Sequence, residues 1–558
     1  MKVRVPSGNR RHPSPPSAPP LPIAHPPAPD SDSPSAATRS ASLASTRRRF
    51  AGPLLLVLVC AVTAGLNLLL LALDQLPQHW DSSHHLMHAI GYADRIAAAG
   101  LSELPEIWTT EYRFYPPAFR LATAPAFLLL RHSLEAGLAW QTLFLVLTLV
   151  VLYRLVAHDY GPLYGALAAT AYASFPIVLG FSRMAFTENL LALEVVLVVW
   201  LAMPLRALER PLLAAVLGFV VGCGQMTKWQ FVFYVGPLLG LVFVSGLVEA
   251  RRIPAPGRSG AVARRLLCPA LAGLVALALA APWYSLHFEE LLVDLRFHAF
   301  EREMGDAPLL SARALLYYVQ VLPWQMIGVP LTLLLFGAIG SGILRRRAEP
   351  RRFVWVLAVF ACAVLLTFSK HKEGRFLLPM LPLFTAILVG GIATARMGIR
   401  IASVALVLLV SPLNAAAQTF SLAPAIDSVT VPIGLGRRGY IVRAGTPEWY
   451  LWPIRRENWA WGEIFEEIEA ISAANGVVAP RIHFCMEEDH PYFNPVGCWS
   501  RILARRLVDA VGHDDAAFCI SHGKGPAERG GRRSDTAFVP VRSWELPDGT
   551  AVRLFRRP

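Results

Sequence analysis

The sequence predicts a polytopic α-helical membrane protein with about eleven spans, interfacial helices in the first external loop and a small C-terminal α/β domain. Of the 558 residues, 54% are hydrophobic and only 16% are charged, whereas soluble domains carry about 25% charged residues. Apolar segments of about 20 residues, the length that a helix needs to cross a bilayer, recur between residues 53 and 418. Beyond residue 420, polar and apolar side chains mix as they do in soluble folds.

The net charge of +13 is best explained by membrane orientation, because Lys and Arg collect in cytoplasmic loops. Proteins that bind nucleic acid are also basic, but no basic stretch here is interleaved with aromatic residues in a soluble region. We therefore expect no nucleic-acid partner.

Residues 1–46 are rich in Pro, Ser and Ala and nearly lack large apolar side chains, so they cannot offset the entropy cost of ordering. They are predicted to form a disordered cytoplasmic N-terminus. The first span, at 53–73, follows a run of three arginines that ends at Arg49 and is interpreted as a retained signal anchor. The positive-inside rule places these arginines in the cytoplasm and Asp81 outside.

The apolar stretch 117–130 is the ambiguous one. It has about 14 residues, contains Arg120 and follows a Tyr-Pro-Pro sequence at 115–117, which suits an interfacial or re-entrant helix better than a span. Leaving it on the outer face places both strongly basic short loops, 251–265 and 345–352, in the cytoplasm, as the positive-inside rule requires. A true span at 117–130 would invert everything downstream.

With that choice, residues 47–420 form one transmembrane domain and the C-terminus is external. The ten spans after the first are predicted at about 137–156, 161–179, 189–204, 211–226, 229–248, 266–283, 315–342, 353–369, 376–394 and 400–418. The pair 211–226 and 229–248 is split only by Thr227, Lys228 and Trp229, but a run of more than about 35 apolar residues is too long for one crossing.

Residues 421–558 are predicted to form an external, periplasmic α/β domain. Helical spacing is found at 461–474 and at 496–508, and short strands are predicted at 481–484 and 516–520. A strand–helix–strand order favours a small α/β fold.

Three cysteines lie in this domain. If it is outside the cytoplasm, one disulfide is expected, and Cys485 and Cys498 are the nearest pair. The third, Cys519, argues against a neat framework of disulfides. The four other cysteines of the chain lie in or beside apolar segments and are predicted to be packing residues.

The predicted topology gathers charged and aromatic side chains at the outer face. They are Asp81, Tyr115, Arg183, Glu188, Lys228, His371, Lys372 and Arg375. The short basic loop 370–375 is external in this topology, against the positive-inside rule, and a bound phosphate is a natural reason for it. Arg offers phosphate a bidentate fork and Lys a point charge.

These residues also have simpler explanations. Asp81 is by itself a solvated loop carboxylate, Lys228 a snorkelling lysine, and the turn at Tyr115 a helix start. Glu188 lies at the water-facing end of its helix and is the better site candidate, whereas Glu194 is expected to be a structural partner within the bundle.

His84 and His85 follow Asp81 closely, and His and Asp are common metal ligands. Two adjacent histidines cannot easily share one ion on a helix, so the motif is weak. A divalent metal is therefore left open as a cofactor.

These residues, in this order and on one membrane side, resemble the glycosyltransferase C superfamily, most of all the bacterial relatives of the protein O-mannosyltransferases and the lipid A aminoarabinose transferase. The resemblance covers residues 53–420. It rests on Asp81, the Tyr115 turn, the segment 183–188, Lys228 with its neighbours, and Arg375 with the prolines after it. Many relatives carry Asp-Glu where this chain has Asp81 and Ser82, which leaves metal dependence open.

The resemblance implies transfer of a sugar from a polyprenyl-phosphate donor to a protein, lipid or glycan acceptor at the outer face of the membrane. Asp81 would accept the proton of the acceptor hydroxyl, and Glu188 would orient the acceptor or the sugar. Lys228, Lys372 and Arg375 would stabilise the phosphate leaving group. A single displacement would invert the anomeric centre, and the identities of the sugar and acceptor stay open.

High usage of Arg, Ala and Pro indicates a GC-rich bacterial genome, so the expected location is the bacterial inner membrane. Three other functions compete. They are a ligase or polymerase of envelope polysaccharide, which uses the same kind of donor, a transporter of lipid-linked sugars, and a non-catalytic receptor whose C-terminal domain senses a ligand, a role for which eleven spans are excessive. A transporter would need ionisable groups near the bilayer midplane and often has internal repeats, whereas the charges here cluster at one surface.

Overall fold

The structure is a computed structural model. The residues that it describes are 36–74, 78–110, 115–130, 132–202, 210–254, 258–301, 308–420, 430–433, 440–443, 458–477, 480–486, 516–523, 538–547 and 549–558. Residues 1–48 and 49–558 form separate units. Apart from the start of the first helix, all the helices and strands lie in the second unit.

Helices follow one another from residue 36 to residue 420 in the described part of the chain. They are α1 (Ala36–Leu73), α2 (Trp80–Ala99), α3 (Leu104–Thr110), α4 (Ala118–Thr123), α5 (Pro125–Leu129), α6 (Leu134–Tyr160), α7 (Pro162–Ala173), α8 (Pro176–Phe181), α9 (Thr187–Ala202), α10 (Pro211–Thr227), α11 (Phe231–Arg251), α12 (Arg258–Arg296), α13 (Ala312–Leu315), α14 (Tyr317–Val321), α15 (Val329–Leu344), α16 (Pro350–Thr367), α17 (Leu381–Ala393) and α18 (Met397–Phe420). Turns of 3-10 helix lie at Gly100–Glu103 and Gly374–Met380, and π-helical turns at Phe297–Glu301 and Leu322–Met326.

Seven helical segments of the described residues are long and apolar enough to cross a membrane, which confirms the predicted polytopic fold class. They are 50–73, 134–160, 231–251, 259–301, 350–367, 374–393 and 397–416. Further apolar helices, namely α10, α15 and the α4–α5 pair, are shorter, so the number of eleven spans stays a prediction.

The ambiguous stretch 117–130 folds as two short helices, α4 and α5, which together run from Ala118 to Leu129. At 1.5 Å per residue they extend about 18 Å, well short of the roughly 30 Å of bilayer hydrocarbon. Their length agrees with the interfacial or re-entrant interpretation.

Two predicted spans are broken in the structure. The one at 161–179 is divided between α7 and α8, where Pro176 lacks the N–H that would continue the helix. The one at 315–342 begins with short helices and a π-helical turn. It becomes regular only in α15, after Gly328, whose φ of 87° is a left-handed conformation that favours glycine.

Two other helices are longer than predicted. Helix α1 begins at Ala36, so it includes residues 36–46, in keeping with the high helix propensity of their alanines. Residues 1–35 lie outside the described part, and the disorder predicted for them stays a prediction. Helix α12 extends over 39 residues and contains two prolines, whereas the predicted span was 266–283.

Helix α17 lies at the centre of the membrane domain, and nearly all its residues are buried. It packs on helices α6, α7, α9, α15 and α16. Two glycines allow this close approach: a Cβ on Gly390 would lie 2.7 Å from the Tyr160 hydroxyl, and one on Gly391 would lie 2.4 Å from the Cβ of Ala338. The packing holds α17, and the 3-10 turn that precedes it, in one position.

The C-terminal region contains a helix and two small sheets. Helix α19 (Trp461–Ala474) has the predicted bounds. Strands β3 (Ile482–Met486), β4 (Phe518–Gly523), β5 (Val539–Glu545) and β6 (Ala551–Arg556) form a mixed sheet in the order β3-β4-β6-β5, while β1 (Thr430–Ile433) and β2 (Tyr440–Arg443) form a hairpin. The α/β character is confirmed, and the predicted helix at 496–508 lies outside the described residues.

The cysteine pairing differs from the sequence-based expectation. Cys519 is disulfide-bonded, and Cys60, Cys223, Cys268 and Cys362 are free. The bond of Cys519 is therefore not the expected pair of Cys485 with Cys498.

Candidate active site

Asp81 lies in the first turn of α2, where its Oδ2 accepts a hydrogen bond of 2.8 Å from Nη1 of Arg375. Arg375 belongs to the 3-10 turn that leads into α17. Its side chain is 10% exposed, against 28% for that of Asp81. The contact joins residues 294 positions apart and places them on one side of the membrane domain, as the predicted topology requires.

Glu373 also forms an ion pair with Arg375. Its Oε2 lies 2.5 Å from Nε of Arg375, and its Oε1 lies 2.6 Å from Nε2 of His371. Burial raises the pKa of both Asp81 and Glu373, but the positive charge of Arg375 outweighs it and leaves the pKa of each carboxyl below its usual range. Both carboxyls are therefore anionic at neutral pH, and they share one guanidinium.

A second ion pair joins Glu188, in the first turn of α9, to Lys228, which follows α10 directly. Nζ of Lys228 donates to Oε1 of Glu188 at 2.6 Å, and both side chains are buried. The ring of Phe376 contacts both pairs, at 5.0 Å from Nζ of Lys228 and 5.6 Å from Cζ of Arg375. Four predicted site residues, including Asp81, thus form one contiguous cluster.

The turn between α8 and α9 is fixed against the start of α2. The backbone N–H of Ala185 donates to Oγ of Ser82 at 3.0 Å. Nδ2 of Asn189 donates to two backbone carbonyls that precede it, both at 2.9 Å. The ring of Phe186, at the end of the turn, lies 5.1 Å from Cζ of Arg375. The turn therefore forms part of the wall around this guanidinium.

Arg183 lies in the same turn but outside the ion-pair cluster. Its Nε and one terminal nitrogen are buried and have no hydrogen-bond partner among the described residues. Burial lowers the pKa of Arg183 to about 10, with the charge of Asp74 opposing the shift, so the side chain remains a cation at neutral pH. Arg183 thus differs from the paired cations Lys228 and Arg375.

His85 and Tyr115 belong to an aromatic cluster beside the ion pairs. The ring of His85 makes edge contacts with Tyr115 at 5.0 Å and Phe119 at 5.2 Å, and Nε of Arg120 donates to Nδ1 of His85 at 3.4 Å. Burial holds the pKa of His85 well below its usual value. A neutral imidazole that accepts a hydrogen bond from arginine is the consistent state.

The side chains around His84 and His85 do not fit a metal ion. Among the described residues, no three His, Cys, Asp or Glu side chains are grouped as ligands. Nε2 of His84 faces Nε2 of His88 at 3.2 Å, and the Arg120 guanidinium beside His85 would repel a cation.

His371 and Lys372 have different surroundings. The His371 ring lies 5.5 Å from that of His298, in the π-helical turn after α12, and its backbone N–H donates to the His298 carbonyl at 3.3 Å. His371 joins the ion pairs through Glu373, whereas Nζ of Lys372 donates to the carbonyl of Ser369 within its own loop.

Sequence reasoning missed Glu373, Phe186 and Phe376 as parts of the site. Glu373 lies among the basic residues of the loop 370–375, and this alternation of charge was a signal that Arg375 would be partly neutralised. Nothing local marks the two phenylalanines, because their contact with Arg375 depends on the packing of distant segments.

The Lys228–Glu188 pair is predicted to contribute to the stability of the fold. We expect Lys228→Met to lower the free energy of unfolding by about 3–5 kcal/mol, because it leaves a buried carboxylate without its cation. Adding Glu188→Gln should restore most of the loss. The midpoint of denaturant unfolding in detergent measures both effects.

The exposed pair Arg296–Glu301, at 2.6 Å, provides a control, since breaking an exposed pair costs about 1 kcal/mol or less. A double variant as unstable as Lys228→Met alone would show that the lysine acts through contacts other than its charge.

Comparisons with known proteins agree with this fold. The Alg9-like mannosyltransferase family matches residues 312–426, and no curated protein sequence matches the chain. The structure is similar to ArnT from Cupriavidus metallidurans bound to undecaprenyl phosphate, with a TM-score of 0.53 and 13% identity, over 89% of this chain and 97% of that one. Apo ArnT gives a TM-score of 0.50 and 14% identity over the same shares.

A weaker likeness, with a TM-score of 0.42, links the chain to the oligosaccharyltransferase AglB from Archaeoglobus fulgidus, at 10% identity over 84% of this chain and 69% of that one. The likeness to ArnT concerns the fold, and the family match adds a sequence relationship over α13 to α18. They agree with the predicted resemblance to glycosyltransferases: the fold is like that of ArnT, and residues 312–426 match the Alg9-like mannosyltransferase family.

Proposed function

We propose that the chain transfers a sugar from a polyprenyl-phosphate donor to a protein, lipid or glycan acceptor at the outer face of the membrane. The observation that carries this proposal is the hydrogen bond between Asp81 and Arg375, with Lys228 reaching the same cluster across Phe376. A carboxylate beside two cations at one membrane face suits a reaction that removes a proton and releases a phosphate. The likeness to ArnT bound to undecaprenyl phosphate supports the donor class.

Lys228 and Arg375 are proposed to stabilise the negative charge that grows on the phosphate as its bond to the sugar breaks. Arg183 lies outside this cluster and is proposed as a further cation for the donor, because two of its buried nitrogens have no partner among the described residues. His371 acts indirectly, by holding Glu373 against Arg375. Lys372, in the same loop as Arg375, stays a proposed contact of the phosphate.

Asp81 is proposed as the base. Arg375 bonds only its Oδ2, and Oδ1 has no hydrogen bond within the described part of the chain, so Oδ1 is available to an acceptor hydroxyl. The acceptor oxygen forms a bond to the anomeric carbon while the bond from that carbon to the phosphate oxygen breaks. The hydroxyl proton passes to Asp81, and one displacement inverts the anomeric centre.

Glu188 is proposed to position Lys228 rather than to transfer a proton. Only 1% of its side chain is exposed, and Oε1 accepts from Lys228 while Oε2 accepts from Thr187 at 3.1 Å. Both oxygens are therefore occupied within the protein, which leaves little access for an acceptor. The buried carboxylate fixes the ammonium near the proposed phosphate site.

Asp81→Asn tests the base directly. We expect sugar transfer to fall by about 10²–10⁴-fold, the usual contribution of a general base, because the amide still accepts a hydrogen bond but takes no proton. Envelope components compared by mass spectrometry with and without the protein would first identify the acceptor, and transfer to it is then measured. Asp94→Asn, on the same helix and half-exposed, is the control. Near-normal transfer by Asp81→Asn would remove this residue from the mechanism.

The pH dependence tests the role of Arg375. Its charge holds the pKa of Asp81 below the ordinary value, about 3.9 for aspartate, so the base stays ionised at every pH above that. In Arg375→Gln, the largest interaction that opposes burial is lost, so the pKa of Asp81 rises and the acid limb of kcat/KM should move to higher pH. Arg296→Gln, at an exposed position, serves as control. An unchanged acid limb in Arg375→Gln would show that the two residues are not coupled during transfer.

The orientation is proposed as cytoplasmic for the N-terminus and periplasmic for the C-terminal domain of a bacterial inner-membrane protein. The disulfide of Cys519 supports it, since disulfides persist in oxidising compartments, whereas the cysteines of the helical domain are free. Protease added to spheroplasts should digest the C-terminal domain and spare an N-terminal tag. Protection of the C-terminal domain in intact spheroplasts would overturn the orientation.

A further inference from the structure

A cavity of about 390 Å³ lies between helices α15, α17 and α18, within the range of roughly 300–1,000 Å³ of ligand pockets. Its walls are mostly apolar and include Leu333, Gly337 and Ile399, and the arginines Arg345 and Arg396 line one end. None of these residues belongs to the ion-pair cluster around Asp81.

The cavity and the candidate active site lie at opposite ends of one buried helical segment. The 3-10 turn and α17 run without interruption from Gly374, beside the catalytic cluster, to Ala393, beside the cavity. Twenty residues at 1.5–2.0 Å each span about 30 Å, which is the thickness of bilayer hydrocarbon. If the active site faces the periplasm, the cavity therefore opens at the cytoplasmic leaflet.

The two arginines of the cavity are not equivalent. Nη1 of Arg345 donates to the Thr394 carbonyl at 2.9 Å and lies 3.7 Å from Oε1 of Glu349. The side chain of Arg396 is exposed and makes no hydrogen bond or ion pair with the described residues, whereas its backbone carbonyl accepts from the N–H of Arg400. A guanidinium without a partner among the described side chains thus lies at the polar end of an apolar cavity.

We propose that this cavity binds an anionic phospholipid of the cytoplasmic leaflet. Arg396 and Arg345 contact the phosphate, and an acyl chain lies along the apolar wall of α15. Leu333 and Ile399, at the rim, are 67% and 60% exposed, which suits contact with hydrocarbon. Anionic headgroups attract basic residues beside membrane helices, and basic pockets between such helices bind them. The lipid would stabilise the position of α17 at the end opposite to Arg375.

Two glycines of α15 allow a matched test. A Cβ on Gly337 or on Gly340 would meet no atom within 4 Å, but only Gly337 lines the cavity. Gly337→Phe should fill the cavity without displacing the backbone, and Gly340→Phe makes the same chemical change outside it. Arg396→Gln removes the charge at an exposed position, so folding should be unaffected.

The full-length protein in detergent is titrated with phosphatidylglycerol, phosphatidylcholine or inorganic phosphate, followed by thermal unfolding and native mass spectrometry. Phosphatidylglycerol should raise the unfolding midpoint by about 3 °C or more and remain bound in the mass spectrum. Gly340→Phe should respond as the wild type does, Arg396→Gln should lose at least half of the shift, and Gly337→Phe should lose all of it.

An equal shift with phosphatidylcholine would overturn the preference for an anionic lipid. The same shift with phosphate alone would replace the lipid by a free anion. If Gly337→Phe does not fold, Arg396→Gln is the deciding variant. A shift with phosphatidylglycerol as large as that of the wild type would then contradict the proposed site.

Discussion

The site depends on the guanidinium of Arg375, which is buried and whose charge is neutralised by nearby carboxylates. Removing a charge from water costs several kcal/mol unless its partners are close and well placed, and Arg375 meets this condition through Asp81, Glu373 and the faces of two phenylalanines. The partners come from the start of α2, the loop before α17 and the turn before α9. The buried charge therefore requires these distant segments to meet at one point.

The breaks between helices make that meeting possible. A continuous helix satisfies its own backbone and presents only side chains, whereas a turn exposes N–H and C=O groups that other segments can bind. The α8–α9 turn uses one such N–H to hold Ser82, next to Asp81. The 3-10 turn at Gly374–Met380 places Arg375 and Phe376 at the start of the most buried of the seven candidate spans. Irregular backbone is accordingly found where the charges are.

Sequence alone predicted the membrane fold class and the meeting of Asp81, Glu188, Lys228 and Arg375, because apolar length and the positive-inside rule assign each segment to a face. These rules do not predict which cationic side chain pairs with which carboxylate. The pairing of Lys228 with Glu188, 40 positions apart, the role of Glu373 and the separation of Arg183 follow from side-chain packing in the folded chain. The breaks at Pro176 and Gly328 were also missed, since apolar composition runs unbroken through them.

The pairing of each cation with a carboxylate has a consequence for the proposed reaction. The donor is a phosphodiester with one negative charge, and its release leaves a phosphate monoester with a second. As that charge grows beside Lys228 and Arg375, the acceptor proton neutralises Asp81, and Arg375 can shift its interaction from the carboxylate to the phosphate. The net charge of the site thus stays constant through the step. In a buried cluster, where uncompensated charge is expensive, a base that shares its cation with the leaving group keeps the barrier low.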